Sequence, residues 1–553
     1  MGGVMDAAEV MRLVAFALEG GADEARRTAE ARMIEWYGDV EAGPAGLHFV
    51  RAVAFRAVDA YREGLAATTL MLAAANREDH PGWRSIAMSL RADMRILLSD
   101  NDLAEYDIDA VLRDLTGAEV AVAAGVEDPM VGSNAHIGIG NGYYMLRLYE
   151  LADPHYQAAY ELALRADPTS AVAATCQTNL AEMHLNWALE LYRVGQDAEA
   201  EKHCTIAESH ALLAARDAPE GSVYRRSLGY LYAGCARADG DDPAGAAAQI
   251  RTYAEWVRTA QRMDTWLFSQ PFLAVALARS GHRDEALAVI EQALAELPAE
   301  ADWMTVAALA HTHGTLLAQI DRPQVRSVLR YGDSLAGALW WQRQRTVHAA
   351  ETMRSYQQLR AEHEQITRSA DTDPLTGIAN RRAFDRELSH RATDEAGTTT
   401  VLVIDLDKFK PLNDAQGHGA GDHALKAIAA ALANQIRSGD LLARTGGDEF
   451  CVILPAADVA GASQVAQRMV HAVRELNLSV TTSIGIAAGP NTAIHDTLSR
   501  ADHAMYTAKA AGGDQAHTAP PQPDTTPPPV GHLAERTTPT SPHKPSDPAD
   551  RGR

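Results

Sequence analysis

The chain has 553 residues, room for about three or four domains, and its 46% hydrophobic and 22% charged content is that of an ordinary globular protein. A formal net charge of −23 argues against general nucleic-acid binding and against an anionic membrane, since both demand a basic surface. There is no basic-then-apolar leader and no membrane-length apolar run, and Cys176, Cys204, Cys235 and Cys451 form no CxxC or Cys/His cluster; the expectation is a cytoplasmic, reduced protein without zinc or disulfides.

Residues 1–332 read as helical almost throughout. The clearest unit is GHRDEALAVIEQALAELP, with Gly281 followed by Ala286, Ile290, Ala293 and Pro298. GQDAEAEKHCTIA sets Gly195, Ala200, Cys204 and Ala207 at the same offsets, and Tyr160, Ala163, Leu164 and Pro168 repeat the tail of the unit. Gly closes one helix, small Ala residues let the next approach its neighbours, and Pro stops it. The pattern resembles tetratricopeptide (TPR) repeats, which implies an all-α solenoid with a surface for an unknown protein or peptide. A generic all-α domain with ordinary Gly and Pro punctuation is the plainer alternative.

Residues 333–372 lack Gly and Pro after Gly337 and are rich in Gln, Arg and Glu. Ala349, Thr352, Tyr356, Leu359, His363 and Ile366 alternate spacings of three and four, the seam of a coiled coil, although several of these residues suit a seam poorly. Either a dimerising signalling helix or a single solvated connector fits.

From 373 to 513 helix and strand alternate. Val401–Leu406 is an apolar strand ending in two aspartates; Leu425, Ile428, Ala429, Leu432 and Ile436 share one helix face; two short strands flank Gly446-Gly447. A helix through Val465, Met469, Val473 and Leu476, the strand VTTSIGIAA and a last helix near Leu498–Lys509 complete an α/β sandwich with a mixed sheet. Residues 514–553 are Pro- and Thr-rich and are predicted to be a disordered tail.

Two acidic constellations stand out. Asp405 and Asp407 share one face at a strand end, where paired carboxylates are costly to bury without a cation. In Thr445-Gly446-Gly447-Asp448-Glu449-Phe450, two glycines admit close backbone approach and two acids follow. Either motif alone is compatible with a solvated turn.

DPLTGIANRR (373–382), DLDKFKPLNDAQGHGAGD (405–422), RTGGDEF (444–450) and ADHAMYTAKAAG (501–512) occur in that order. Over roughly 140 residues this resembles the GGDEF domain of diguanylate cyclases, which implies a nucleotide-cyclase-like fold that condenses two GTP into cyclic di-GMP. The resemblance makes Asp405 and Asp448 side-chain ligands of two Mg²⁺ or Mn²⁺ ions, with the Leu406 carbonyl as a further ligand. Glu449 either assists deprotonation of the ribose 3′-hydroxyl or binds the second metal. Asn413 and Asp422 match the guanine readers, and an acid that accepts from guanine N1 and N2 rejects adenine. Backbone amides of Lys408 and Phe409 and the side chains of Lys410 and Lys509 match the triphosphate contacts, while Gly446 and Gly447 admit the nucleotide.

Each such domain holds one GTP, so the resemblance implies a homodimer with two sites facing one another. Arg437 and Asp440 match the family's RxxD product-inhibition site, where cyclic di-GMP binds; an exposed salt bridge is the bland alternative. Many relatives carry a second basic residue after the position of Lys509, where this chain has Ala510–Gly513, so triphosphate affinity is lower or other cations suffice. The alternative function is a catalytically weak domain that receives GTP or cyclic di-GMP on a helical scaffold. The intact acids and Asn413 favour the enzyme.

Overall fold

The structure is a computed structural model and describes residues 6–101, 107–167, 171–219, 221–299, 301–319, 323–394 and 396–520. Pro168, the side chain of Ile366 and tail residues 521–553 lie outside the described residues. The chain divides into two compact units, Met1–Glu362 and His363–Arg553.

The first unit is helical, as the sequence predicts. Its helices pair into successive hairpins, including Pro129–Met145 with Tyr149–Ala166, Ala171–Arg193 with Asp197–Asp217, Val223–Ala236 with Pro243–Thr259, and Met263–Arg279 with Arg283–Ala295. The second helix of each pair carries two buried alanines seven residues apart: Ala152 and Ala159, Ala200 and Ala207, Ala247 and Ala254, Ala286 and Ala293. A methyl group in that place lets helix axes approach without a cavity, so the small residues set the stacking distance. Gly195 and Gly281 turn between helices with φ of 74° and 90°, backbone that favours glycine. A polar contact recurs with the hairpins. His136 Nδ1 faces His155 Nδ1 at 2.9 Å, and His184 Nδ1 faces His203 Nδ1 at 2.9 Å, 48 residues further on for both members.

A 49-residue helix, Pro323–Asp371, begins ten residues before the predicted linker. Gly332 and Gly337 sit inside it; each costs about 1 kcal/mol relative to alanine, which a helix of this length absorbs. One stripe of it is docked on the first unit. Arg343 pairs with Glu150 and donates to the Arg147 carbonyl, Val347 and Ala350 are buried among Tyr143, Tyr149 and Met183, and Arg354 pairs with Glu119 at 2.7 Å. The predicted seam lies elsewhere: Ala349, Thr352, Tyr356, Leu359 and His363 are exposed. Among the described residues no helix is long and apolar enough to cross a membrane.

The second unit is a six-stranded mixed sheet with helices on both faces. Its strands are β1 Ala379–Asn380, β2 Thr398–Asp407, β3 Leu441–Arg444, β4 Glu449–Pro455, β5 Thr481–Pro490 and β6 Gln515–Thr518, in the order β1-β3-β4-β2-β5-β6. β1 and β6 pair in parallel at the two edges and the inner pairs are antiparallel. Alternation along β2 splits the core: Leu402, Ile404 and Leu406 pack with helices Phe409–Gln416, His418–Ala433 and Val459–Glu475, while Val401 and Val403 pack with Arg381–Ala392 and Ile494–Ala510. Against β5 the last helix rides almost in contact, since a Cβ at Gly485 would lie 1.9 Å from the Ala501 carbonyl oxygen. β6 corrects the predicted tail boundary. Residues 515–518, read as disordered, pair with β5, because the polar edge strand needs only backbone partners and the Asp514 amide is fixed by Asp407 at 2.9 Å.

Candidate active site

β2 and β4 lie side by side at the middle of the sheet with Asp405 directly opposite Glu449, so the two acids share a face. Asp448 precedes β4, and its carbonyl accepts from the Leu406 amide at 3.1 Å. That couples the GGDEF turn to the end of β2. Asp405 is buried to 8% exposure, and Lys509 of the Ile494–Ala510 helix sets its ammonium on the Asp405 carboxylate. Burial pushes the Asp405 carboxyl above its ordinary value; Lys509 pulls it down, while the charges of Asp448 and Glu449 push it up again. Lys509, expected on a triphosphate, is therefore on a carboxylate here.

Asp407 corrects the reading of paired acids awaiting a cation. It accepts from Ser483 Oγ at 2.7 Å, Thr481 Oγ1 at 2.9 Å and the Asp514 amide. Protein donors satisfy it, and it ties β2 to β5 and β6. At Gly513, in the stretch after Lys509, φ is 75° and a Cβ would lie 2.8 Å from the Asp407 carboxylate, so a side chain there would strain the backbone and displace Asp407.

The GGDEF turn closes with the amides of Thr445 and Gly446 donating to the Glu449 carbonyl at 3.0 and 3.3 Å. Glu449 folds back over Gly446, where a Cβ would lie 2.7 Å from Oε2, while a Cβ at Gly447 meets nothing within 4 Å. Arg444 secures the turn from outside. Its Nε and Nη2 donate to the Gly447 carbonyl at 3.1 and 2.7 Å, and Nη1 reaches both Asp373 oxygens at 3.1 and 3.3 Å. Burial works against the Asp373 charge, but Thr376 and Arg444 overcome it and hold the carboxyl below its ordinary value. Neither Arg444 nor Asp373 was singled out from sequence, although each sits in a quoted motif.

Lys408 leaves β2 with φ 61° and caps the Phe409–Gln416 helix, so the first amides of that helix have no intrahelical partner. Phe409 is buried in the core and Lys410 is exposed. Asn413 lies against Gly421, where a Cβ would fall 1.9 Å from its Oδ1; that oxygen is buried and accepts no hydrogen bond from protein. Asp422, the next residue along, is exposed. The asparagine thus offers an acceptor that no protein donor uses.

Arg437 and Asp440 are joined, Nε to Oδ1 at 3.2 Å, with Asp440 also accepting from the Arg437 amide at 3.1 Å and Arg437 Nη2 donating to the Pro455 carbonyl at 3.0 Å. Asp440 is spent on closing the turn, whereas the Arg437 side chain is 68% exposed. The donor set near Asp405, carboxylates and a main-chain carbonyl, fits a hard dication. Among the described residues, however, no three His, Cys, Asp or Glu side chains converge at metal-binding spacing. Lys509 already supplies a positive charge to the same carboxylate.

Acidic residues at the centre of a mixed α/β sandwich, beside a glycine turn, define a nucleotide-cyclase-like domain. Residues 370–515 match the family described as "Diguanylate cyclase, GGDEF domain", and this part of the chain is a GGDEF domain. Similar proteins include the diguanylate cyclase DgcP of Pseudomonas aeruginosa, 40% identical over 159 residues that make up 27% of this chain and 24% of the relative. The response regulator PleD of Caulobacter vibrioides is 37% identical over 157 residues, 26% of this chain and 35% of PleD. The cyclic di-GMP phosphodiesterase PdeB of Shewanella oneidensis is 35% identical over 162 residues, 28% of this chain and 19% of PdeB. The chain thus spans a third or less of the length of most of these relatives, and the family match at residues 370–515 lies within the second unit.

Proposed function

We propose that the GGDEF domain is a diguanylate cyclase, condensing two GTP into cyclic di-GMP and two pyrophosphates. The observation that carries this is the register of Asp405 against Glu449 with Asp448 at the turn between β3 and β4. In this reading Asn413 and Asp422 accept from the guanine edge, which explains the unused Asn413 oxygen. The amides of Lys408 and Phe409, with Lys410, hold the triphosphate. Gly446 and Gly447 keep side chains out of its way, and Glu449 takes the proton of the ribose 3′-hydroxyl that attacks the α-phosphate of the other GTP. Asp405, Asp448 and the Leu406 carbonyl would hold two Mg²⁺ or Mn²⁺ ions, which when bound stabilise charge on the attacking and leaving oxygens.

Because each domain holds one GTP, the enzyme works as a homodimer, and the exposed stripe of the long helix through Tyr356 and Leu359 offers a seam for pairing. Product inhibition acts through Arg437 and Asp440. The first unit, a TPR-like solenoid in the cytoplasm, receives a protein or peptide and passes the signal along the long helix, whose docked stripe ties it to that unit.

Purified full-length protein incubated with GTP and Mg²⁺ is expected to release cyclic di-GMP, read by chromatography, and Glu449→Ala to slow release about 100-fold or more. Wild-type rates from Glu449→Ala would overturn the catalytic assignment. One observation favours a receptor instead: Lys509 occupies Asp405. GTP bound by a dimer without any product would select that reading.

A further inference from the structure

The first unit holds an open cavity of about 1090 Å³ lined mainly by the first helices of four successive hairpins and by residues 301–305. On the Ala171–Arg193 helix, Thr175, Thr178, Asn179, Glu182 and Asn186 recur at helical spacing and form a polar stripe facing it. At the middle of that stripe Glu182 is fixed by hydroxyl donors. Tyr144 donates to Oε1 at 3.0 Å, Tyr232 donates to Oε2 at 2.9 Å, and Asn186 Nδ2 donates to the Tyr144 oxygen at 2.8 Å.

Glu182, half-buried, differs from the buried acids of this unit. Asp93, Asp114, Glu119 and Glu190 each pair with an arginine: Arg56, Arg91, Arg354 and Arg147 respectively. No lysine, arginine or histidine among the described residues forms an ion pair with Glu182. Glu182 is half-buried where it borders the cavity, so its carboxylate is partly stripped of water yet open to a cation that enters. Burial pushes its carboxyl upward and Asp264 adds to that, against the pull of the Tyr232 and Tyr144 hydroxyls and of Arg262.

The cavity walls suit a cation. Tyr144, Tyr224, Tyr232, Phe268 and Trp303 line it, and aromatic faces attract ammonium and guanidinium groups. Positive charge is present as well. Arg225 donates to Thr175 Oγ1 at 2.5 Å, and Arg262 stands 5.7 Å from the centroid of the Tyr224 ring and pairs with Asp264 at 3.6 Å. Asp264 and Asp302 line the cavity too, so its acids and arginines are mixed. A ligand that carries a carboxylate or peptide carbonyls beside its cation would satisfy Arg225, which among the described residues has a hydroxyl partner and no carboxylate.

We propose that this cavity binds an ammonium or guanidinium group on Glu182, carried by a ligand whose carboxylate or peptide carbonyls meet Arg225. That chemistry is found in a free basic amino acid and in a lysine or arginine side chain of a peptide. The site stands apart from the GTP reading and does not depend on it.

Calorimetric titration of the full-length protein tests it with four probes: L-arginine, its neutral isostere L-citrulline, and the acetylated, amidated tripeptides Ala-Arg-Ala and Ala-citrulline-Ala. At least one arginine probe is expected to bind saturably, with its citrulline counterpart roughly tenfold weaker or worse. Binding by free arginine assigns a small ligand, and binding by the tripeptide alone assigns a peptide. Glu182→Gln, which keeps the shape and loses the charge, is expected to weaken the arginine probe by about tenfold or more. Absence of binding by both arginine probes, or equal binding of arginine and citrulline, overturns the proposal. The citrulline comparison uses the wild-type protein and so stands even if Glu182→Gln does not fold.

Discussion

Lys509 closes an ion pair with Asp405, joining the last helix of the GGDEF domain to the central strand β2. Burial raises the Asp405 carboxyl and the ammonium opposes that rise, so Lys509→Met is expected to raise it further. In the metal-free protein the Asp405 carboxyl, followed by NMR, should then titrate at higher pH than in the wild type. If its titration stays and only the KM for GTP rises in the metal-loaded enzyme, Lys509 serves the triphosphate and the pair does not set the Asp405 charge.

Arg444 spans the Gly447 carbonyl and the Asp373 carboxylate with three nitrogens. Lysine cannot reproduce that fork. Arg444→Lys and Arg444→Met are both expected to lower the stability of the domain by about 1–3 kcal/mol and to slow product release from GTP. Urea unfolding beside a rate assay checks this. Because Asp373 lies below its ordinary carboxyl value, its share of stability is present above that value and fades as pH falls through the folded one.

Gly485→Ala places a methyl group 1.9 Å from the Ala501 carbonyl oxygen and 2.1 Å from the Met505 amide. Those are backbone atoms of a helix and cannot step aside, so the helix must lift from β5. A loss of about 1–3 kcal/mol or more is expected in thermal unfolding. Lys509 rides on the same helix, so activity should fall at temperatures where the variant is still folded.

Four histidines, the buried His48 and His203 and the half-buried His136 and His210, have their pKa lowered to about 4, first by loss of water and then by Arg51 for His48 and a neighbouring histidine for the others. An unfolded chain titrates near 6.5, so it binds more protons between about 6.5 and 4, and the folded first unit weakens as pH falls through that window. Each group contributes about 1.4 kcal/mol per pH unit inside it. Unfolding followed by circular dichroism should show this slope, and His136→Gln should flatten it.

Arg437→Ala removes the exposed guanidinium while leaving Asp440 its bond from the residue 437 amide. The cyclic di-GMP concentration that halves the rate is expected to rise roughly tenfold. An unchanged value would mean that the Arg437–Asp440 contact only closes the turn.

The site strands were legible because an apolar run ending in acids and a glycine pair before two acids leave few alternatives. What stayed hidden depends on partners far along the chain. Asp407 shares its strand face with Asp405, and nothing nearby in sequence says that Thr481 and Ser483 will satisfy one acid and leave the other to Lys509. β6 is short and polar and runs into a Pro-rich stretch, so its strand character comes from the edge of β5 and the Asp407 anchor on the Asp514 amide, both far away in sequence. In the first unit the alanine spacing at Ala200, Ala207, Ala286 and Ala293 was readable because stacking demands small residues there. The echo of His136 and His155 in His184 and His203 escaped notice, since two histidines 19 residues apart carry no helical period.

The long helix carries two stripes of heptad spacing. Arg343, Val347, Ala350, Arg354 and Gln357 face the first unit, and Ala349, Thr352, Tyr356, Leu359 and His363 are exposed. The second stripe trails the first by two residues for most of its length, about 200° around the axis at 3.6 residues per turn. Like the middle ply of a laminate, such a helix can be glued on both sides at once. Any torque applied through one bond line is then felt by the other, with no hinge needed between them.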